Sequence, residues 1–209
     1  MNIATWNYRG LGEADSLKVP YVSSFVRSFG VDIMFLMETL VFVQCAVQKL
    51  PLLGFDVFCG SDALSLSGGL VVFWFSQVVV EPISVSPHVI FCQVIVPGQE
   101  IKHIIFVYGS PHISFRNAVR AEITNILRIA PNVVLFGDFN QVEYLSDKVG
   151  GSLAIPGRHE FLDWKLSSGL LDIPFSGPSF TWTNGQLGNP IFERLDKGYA
   201  TRAWMDTHP

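Results

Sequence analysis

Short apolar runs separated by polar or glycine-containing segments make up most of the chain. One run fills Asn2–Trp6, and a second, VDIMFLME, ends in Glu38. Between them, apolar residues recur near helical spacing up to Gly30, a residue that commonly ends helices. These apolar positions are Leu17, Val22, Phe25, Val26 and Phe29. The pattern predicts strand, helix, strand, with Pro20 in the first helical turn or at a kink.

The middle of the chain is rich in predicted strands. The apolar and alternating runs that predict them lie near Asp56–Cys59, Gly69–Phe75, Val78–Ser84, Val89–Val96 and Lys102–Tyr108. Because only short turns separate these runs, antiparallel pairing is expected here.

Helices and strands alternate in the last part of the chain. The pattern predicts helices over Phe115–Ile129 and Arg158–Ser168, and a strand at NVVLFG between them. Two short strands are predicted near Phe180–Trp182 and Glu193–Tyr199. Since no repeat or flexible linker interrupts this pattern, a single domain over residues 1–209 is expected. Strand clusters mixed with helices favour packed sheets covered by helices.

The composition indicates a folded globular protein but does not indicate what the protein binds. Hydrophobic residues make up 49% of the 209 residues and charged residues 15%, which argues against disorder and allows a sizeable core. The net charge is −4, and Lys and Arg are scattered singly, so no basic patch indicates nucleic-acid binding. A site built of carboxylates and Mg²⁺ is itself acidic, so the charge does not exclude a DNA substrate.

The sequence predicts an intracellular protein. MNIATWN has neither a basic segment nor a long apolar segment, so no secretory signal is expected. Cys45, Cys59 and Cys92 lack metal-ligand spacing, and their apolar neighbours suggest buried free thiols in a reducing nuclear or cytoplasmic compartment. The uncharged stretch Ala63–Val80 is long enough to span a membrane, but its serines and glycines favour buried strands. We expect no membrane association, and a monomer.

Four apolar runs end in polar residues that could form a site. They end at Asn7, Glu38, Tyr108, and Asp138 with Asn140. Taken singly, each has an ordinary explanation, such as a solvated strand end for Glu38 or an Asx turn for Asp138 and Asn140. Polar groups at strand ends often meet at one edge of a sheet, so the four together favour a site. Carboxylate and amide oxygens suit Mg²⁺, and phosphate-ester hydrolysis uses a metal, a carboxylate and neutral donors.

Seven motifs in order resemble the endonuclease/exonuclease/phosphatase superfamily. Within it, the chain is most similar to the apurinic-type endonuclease domain of plant LINE-type non-LTR retrotransposons. The motifs are ATWNYRGLG, DIMFLMET, SGGLVVFW, FVYGSP, LFGDFNQV, FSGPSFTWTNG and ERLDK, and the match runs from about residue 1 to about residue 204. The resemblance implies an α+β fold, a DNase I-like four-layer α/β/β/α sandwich of two mixed sheets flanked by helices.

The resemblance also implies a role for each candidate residue. Glu38 would be the main ligand of Mg²⁺, with Mn²⁺ as the alternative ion, and Asn7 would help to hold it. Tyr108 would donate to the scissile phosphate. Asp138 would orient or activate the attacking water, and Asn140 would bind phosphate or the transition state.

Two further residues receive roles from the same resemblance. Thr181 would be a supporting hydrogen-bonding residue, and Asp196 would orient a catalytic histidine. The implied activity is Mg²⁺-dependent nicking of DNA, in the family's case for target-primed reverse transcription.

One family motif does not occur in these residues. The family carries Ser-Asp-His some tens of residues beyond RLD, and the present sequence contains no such triplet. A domain lacking its last strands, and impaired in activity, is therefore expected. Whether His112 or His208 replaces the histidine of that motif stays open. The alternatives to an impaired nuclease are an inactive relic or a metal- or phosphate-binding module, and a small-molecule phosphoesterase of the same superfamily.

Overall fold

The computed structural model describes residues 1–10, 18–49, 53–64, 67–98 and 100–208. The chain divides into two compact units, one from Met1 to Lys102 and the other from His103 onward. The sequence-based expectation of a single domain stays a prediction. Leu17, which was expected in the first helix, lies outside the described residues.

The first unit contains a mixed four-stranded sheet. Its strands are β1 (Ile3–Asn7), β2 (Ile33–Met37), β3 (Val57–Leu64) and β4 (Ser67–Trp74), in the order β1-β2-β4-β3. β1 and β2 are parallel and the other pairs are antiparallel. Parallel neighbours need a crossover connection, which helix α1 (Lys18–Phe29) provides. A second helix, α2 (Val43–Lys49), precedes β3.

The core of this sheet lies around β2, whose five residues are all buried. Val22 and Val26, one turn apart on α1, belong to the same apolar cluster as Met34 and Leu36 of β2. Pro20 is the third residue of α1 and therefore lies in its first turn, where the missing N–H costs little. The predicted strand-helix-strand beginning is confirmed.

A hairpin completes the first unit. Strands β5 (Val79–Val85) and β6 (Val89–Ile95) pair antiparallel, with a bulge between Pro82 and Ser84. Most of β5 is exposed and most of β6 is buried. Antiparallel pairing of β3 with β4 and of β5 with β6 confirms the arrangement predicted for the middle of the chain.

The second unit is built around another mixed set of strands. They are β7 (Lys102–Tyr108), β8 (Val133–Asp138), β10 (Leu170–Asp172) and β13 (Asp196–Thr201). β7 and β8 are parallel, while β13 is antiparallel to both β8 and β10. Helix α3 (Ile113–Ile129) makes the crossover from β7 to β8, and α4 (Arg158–Ser167) precedes β10.

Several short elements complete this unit. A small antiparallel sheet consists of β9 (Lys148–Val149), β12 (Phe192–Glu193) and β11 (Trp182–Thr183), and helix α5 (Arg202–Thr207) follows β13. The sequence pattern did not predict α2, β9, β10 or α5, which have two to seven residues each and no uninterrupted apolar run like that of β2. The predicted α+β class, with two mixed sheets flanked by helices, is confirmed.

The structure bears on the uncharged stretch Ala63–Val80 and on the three cysteines. No helix among the described residues is long and apolar enough to cross a membrane, and the described parts of Ala63–Val80 form strands and a turn. All three cysteines are free thiols. The prediction that all three are buried is confirmed only for Cys92. Cys59 on β3 is half-buried, and Cys45 on the short helix α2 is exposed.

A group of charged residues centred on the buried Glu143 links the loop after β8 to α4, β10 and β13. The Glu143 carboxylate accepts from Lys197 Nζ at 2.7 Å, from Lys165 Nζ at 2.6 Å and from the Tyr199 hydroxyl. Lys165 also contacts Asp172 at 2.7 Å, and Lys197 contacts Asp147 at 3.1 Å. Burial alone would raise the pKa of Glu143, but the charge of Lys197 and these hydrogen bonds outweigh burial and lower it.

Replacing Glu143 by Gln is expected to lower the free energy of unfolding by about 3 kcal/mol near neutral pH, because two buried ammonium groups lose a counter-charge. A lowered pKa means that this stability is present above the unfolded-state value, about 4.3, and is lost as the pH falls through the folded-state value. The difference between the wild type and the variant should therefore shrink in acid. Urea denaturation at several pH values measures it.

The matched control is Glu81→Gln, on the exposed side of β5, which should change the unfolding free energy by less than about 0.5 kcal/mol. A Glu143→Gln difference that is small, or that does not change with pH, would contradict a stabilising role for this group.

Candidate functional site

In the first unit, Asn7 and Glu38 are brought together by the parallel pairing of β1 with β2. Asn7 lies opposite Met37 in the register, and Glu38 follows directly. The Asn7 amide nitrogen donates to Glu38 Oε1 at 2.9 Å. The carboxylate and the amide predicted from the two strand ends are therefore direct neighbours.

The backbone at Glu38 departs sharply from the strand. Its φ is +53°, in the left-handed region that non-glycine residues rarely adopt. The Glu38 carbonyl accepts from Gly10 N at 2.7 Å, and the next amide, Thr39 N, donates to Gly69 O at 3.1 Å. A Cβ on Gly69 would overlap the Thr39 hydroxyl, so this approach requires glycine. Several hydrogen bonds thus fix a strained backbone at Glu38, as is common at functional sites.

The donor set in this unit suits a hard cation that keeps most of its water ligands. Among the residues that the structure describes, no three His, Cys, Asp or Glu side chains gather as a metal cluster. Mg²⁺ needs only one or two carboxylates with added oxygen donors, which Glu38 and Asn7 can supply. The two residues fit Mg²⁺ and do not fit an ion that requires several sulfur or imidazole ligands.

In the second unit, three polar residues lie side by side in the register of three strands. Asp138 of β8 pairs with Tyr108 of the parallel neighbour β7, and with Asp196 of the antiparallel neighbour β13. β7 and β8 end at this edge while β13 begins there. Tyr108 and Asp138 are buried, and Asp196 is half-buried. The structure therefore brings together three residues that are far apart in the sequence.

Asn140 joins this group through the turn that follows β8. Its backbone N–H donates to Asp138 Oδ1 at 2.7 Å, and its side-chain amide donates to Gly109 O at 2.7 Å. Gly109 N in turn donates to Asp138 O at 2.6 Å. Asn140 has a φ of +48°, which Asn tolerates better than most residues. The Asx turn is thus present, and it also holds both side chains at the edge where Tyr108 lies.

Thr181 holds the beginning of β13. Its hydroxyl oxygen accepts from the backbone N–H groups of Leu195 and Asp196, both at 3.1 Å. Its own N–H donates to Glu193 O at 3.0 Å. Although Thr181 itself is exposed, it fixes the backbone that carries Asp196. The supporting role expected of Thr181 stays a prediction.

The two candidate histidines differ in position. His112 directly precedes α3 in the exposed loop that follows Tyr108, and its ring lies edge-on to Phe115 at 6.2 Å. His208 follows α5, where its ring stacks on Trp204 at 4.1 Å. β13 begins at Asp196 and α5 follows its other end, so His208, which comes after α5, is connected to the end of β13 opposite Asp196. His112 is close in the chain to Tyr108, whereas β13 and α5 separate His208 from Asp196 along the chain.

Sequence reasoning missed several residues that shape this edge. Gly109, Arg116 and Gln141 all hydrogen-bond within the two loops that carry Tyr108, Asp138 and Asn140. The only available signal was the position of Gly109 and Gln141 next to polar strand ends. Arg116 lies inside a predicted helix, where a single arginine is ordinarily solvent-exposed.

Comparison with known proteins rests on structure alone. No protein-family model and no curated protein sequence matches this chain. The endonuclease domain of TRAS1, a telomere-specific non-LTR retrotransposon, matches with a TM-score of 0.72 and 12% identity over 97% of this chain and 85% of its own. The AP endonuclease LMAP from Leishmania major matches with a TM-score of 0.70 and 16% identity over 95% of this chain and 78% of its own.

The 3'-5' exonuclease NExo from Neisseria meningitidis has a TM-score of 0.67 and 20% identity, over 97% of this chain and 88% of its own. The likeness shows the DNase I-like fold. These neighbours are endonuclease/exonuclease/phosphatase proteins, and a non-LTR retrotransposon endonuclease is among them. At such identities the comparison supports the predicted fold but not a particular branch or substrate.

Gly109→Ala is expected to disturb the edge that carries Asp138 and Asn140. An added Cβ would overlap the Phe139 backbone, which cannot move aside as a flexible side chain could. We expect a loss of about 1–3 kcal/mol in the free energy of unfolding, together with displaced amide NMR signals for Asp138 and Asn140.

Gly188→Ala is the matched control, because no atom lies within 4 Å of its added Cβ. It should leave stability and the same NMR signals unchanged. If both variants behave alike, close contact at Gly109 does not set the position of this edge.

Proposed function

We propose that the protein is a Mg²⁺-dependent phosphodiester hydrolase that nicks DNA, in the manner of a retrotransposon endonuclease, with Mn²⁺ as an alternative metal. The observation that carries the proposal is the alignment of Tyr108, Asp138 and Asp196 on three neighbouring strands. The likeness to DNA-processing enzymes of the DNase I-like fold supports it. Its resemblance to the plant LINE branch rests on the sequence motifs.

In this proposal Glu38 and Asn7 hold the metal. When bound, Mg²⁺ would supply positive charge that neutralises non-bridging phosphate oxygens. The Glu38 carboxylate would be the charged ligand, and the hydrogen bond from Asn7 orients it. The strained backbone at Glu38 is consistent with this role, since strain persists where the surrounding contacts over-determine it.

The residues of the second unit would carry out the displacement. Asp138 accepts a hydrogen bond from the attacking water and takes its proton as the oxygen bonds to phosphorus. Tyr108 and Asn140 donate hydrogen bonds to the phosphate oxygens, where negative charge develops. The phosphorus–oxygen bond to the leaving DNA strand then breaks, and its oxygen takes a proton from solvent water, which gives one phosphate monoester and one hydroxyl. Asp196, held by Thr181, would orient an imidazole.

A polypeptide of these 209 residues is proposed to nick DNA only slowly. The Ser-Asp-His sequence of the resembled family does not occur in it. Loss of a positioned acid–base or electrostatic group costs on the order of 10²–10⁴ in rate. A metal- or phosphate-binding module without turnover is therefore the second candidate, and a phosphoesterase for small substrates is the third.

We also propose that the protein acts as a monomer in the nucleus or cytoplasm. The three free cysteines support a reducing compartment. Light scattering at micromolar concentration tests the monomer, and fractionation of the source cells tests the location. A dimer mass, or secretion into an oxidising compartment, would contradict the respective statement.

Conversion of supercoiled plasmid to the nicked form in the presence of Mg²⁺ tests the activity. We expect slow nicking that stops when a chelator removes the metal. Glu38→Gln should lower the rate at least about 100-fold, because it removes the charged ligand of the metal. Calorimetric titration with Mg²⁺ should show weaker binding to the same variant.

Glu81→Gln, which changes an exposed carboxylate of the first unit, serves as the control and should match the wild type. Metal binding without nicking would favour the binding module, and hydrolysis of soluble phosphoesters alone would favour the third candidate. Fast cleavage that Glu38→Gln abolishes would show that the 209 residues are not impaired.

A further inference from the structure

Arg116 connects the two loops that follow Tyr108 and Asp138. It lies in the first turn of α3 with its side chain half-buried. Its Nε donates to Ser110 O at 3.1 Å, and its Nη1 donates to Gln141 Oε1 at 2.7 Å. A single guanidinium thus joins the loop after β7 to the loop after β8.

Further contacts fix both partners of this guanidinium. Its nitrogens also lie 3.4 Å from the carbonyl oxygens of Pro111 and Pro156. Gln141 is buried, and its amide nitrogen donates to Val142 O at 2.7 Å and to Pro156 O at 3.2 Å. The Gln141 amide therefore has one orientation, with its oxygen toward Arg116. The planar guanidinium presents several donors in a rigid fork, which suits these separate acceptors better than the point charge of a lysine.

The two loops joined by Arg116 carry the proposed catalytic groups. Ser110 comes two residues after Tyr108, and Gln141 comes directly after Asn140. The bond from the Asn140 side chain to Gly109 O is a second link between the same loops. Burial, and then the like charge of Arg120, lower the pKa of Arg116, while the carboxylates of Asp138 and Glu193 favour its charged form.

We propose that Arg116 is a positioning residue whose guanidinium sets the placement of Tyr108 relative to Asp138 and Asn140. It acts through Ser110 and Gln141 and need not touch the substrate. Displacement of reacting groups by about 1 Å can cost on the order of 100-fold in rate, so such a clamp matters for catalysis. The catalytic part of this inference rests on the proposed function, whereas the clamp itself is a property of the two loops.

Hydrogen exchange measured by NMR tests the clamp without reference to activity. The reporters are the N–H of Gly109, which donates to Asp138 O, and the N–H of Asn140, which donates to Asp138 Oδ1. In Arg116→Lys both should exchange at least about tenfold faster, while β8 amides keep their protection. Gln141→Met, which removes the acceptor instead of the donor, should give the same pattern.

Arg128→Lys is the matched control, since Arg128 lies on the same helix, is exposed and bonds to Asn125. It should leave both reporters unchanged. Unchanged reporters in the folded Arg116→Lys and Gln141→Met variants would overturn the proposal. A variant that loses protection throughout β8 would overturn it too, because Arg116 or Gln141 would then support the whole unit.

Nicking kinetics test the catalytic consequence. Arg116→Lys should lower kcat on the order of 10- to 100-fold, with KM changed less than about threefold, as for residues that orient catalytic groups indirectly. In Arg116→Ala, millimolar methylguanidinium should restore part of kcat, whereas it should not restore Glu38→Gln. A loss confined to KM, or no rescue in a folded variant, would overturn the positioning role in favour of a substrate contact or a structural one.

The two failures can be told apart. If the wild type does not nick DNA although Gly109 and Asn140 lose protection in Arg116→Lys, the proposed function fails and the clamp stands. If the wild type nicks DNA and the Arg116→Lys reporters and kcat are unchanged, the clamp fails and the proposed function stands.

Discussion

The register of β8 between its two neighbours is the constraint on which the second unit depends. A strand displaced by one residue turns every side chain to the opposite face, so Tyr108, Asp138 and Asp196 adjoin only in the observed alignment. Gly137 makes the close approach to β7 possible, because a Cβ there would overlap the Val107 carbonyl and its φ is +143°. Main-chain pairing alone therefore places Tyr108, Asp138 and Asp196 side by side.

Side chains then hold the loops that leave this edge. Glu143 ties the far end of the loop after β8 to Lys197 of β13, next to Asp196 in the chain. Arg116 holds the near end of that loop through Gln141. In the first unit, a single hydrogen bond between the Asn7 and Glu38 side chains holds the ends of β1 and β2 in the same way. In both units, polar groups at strand ends are fixed by hydrogen bonds from their neighbours.

The sequence predicted the class of fold and most of the longer elements, because apolar runs with clear periods mark buried strands and helix faces. It also singled out polar strand ends that the structure brings together within each unit. It could not predict the buried Glu143 group or Arg116, since charged residues spaced singly along a sequence are ordinarily exposed. Short elements such as β9 and α5 were not predicted, because so few residues show no clear apolar period. Cys45 was assigned to the interior because its neighbours in the sequence are apolar.

The pairing of β13 with β8 has a consequence for how the protein reaches its native state. β7, α3 and β8 are consecutive and can associate through fairly local contacts, whereas Asp196 arrives beside Asp138 only after the chain has passed through α4 and the small sheet. Closing that long loop costs entropy that only the completed pairing repays. The side-by-side placement of Asp138 and Asp196 therefore depends on a contact that is distant in sequence, and during synthesis it cannot form until β13 has emerged.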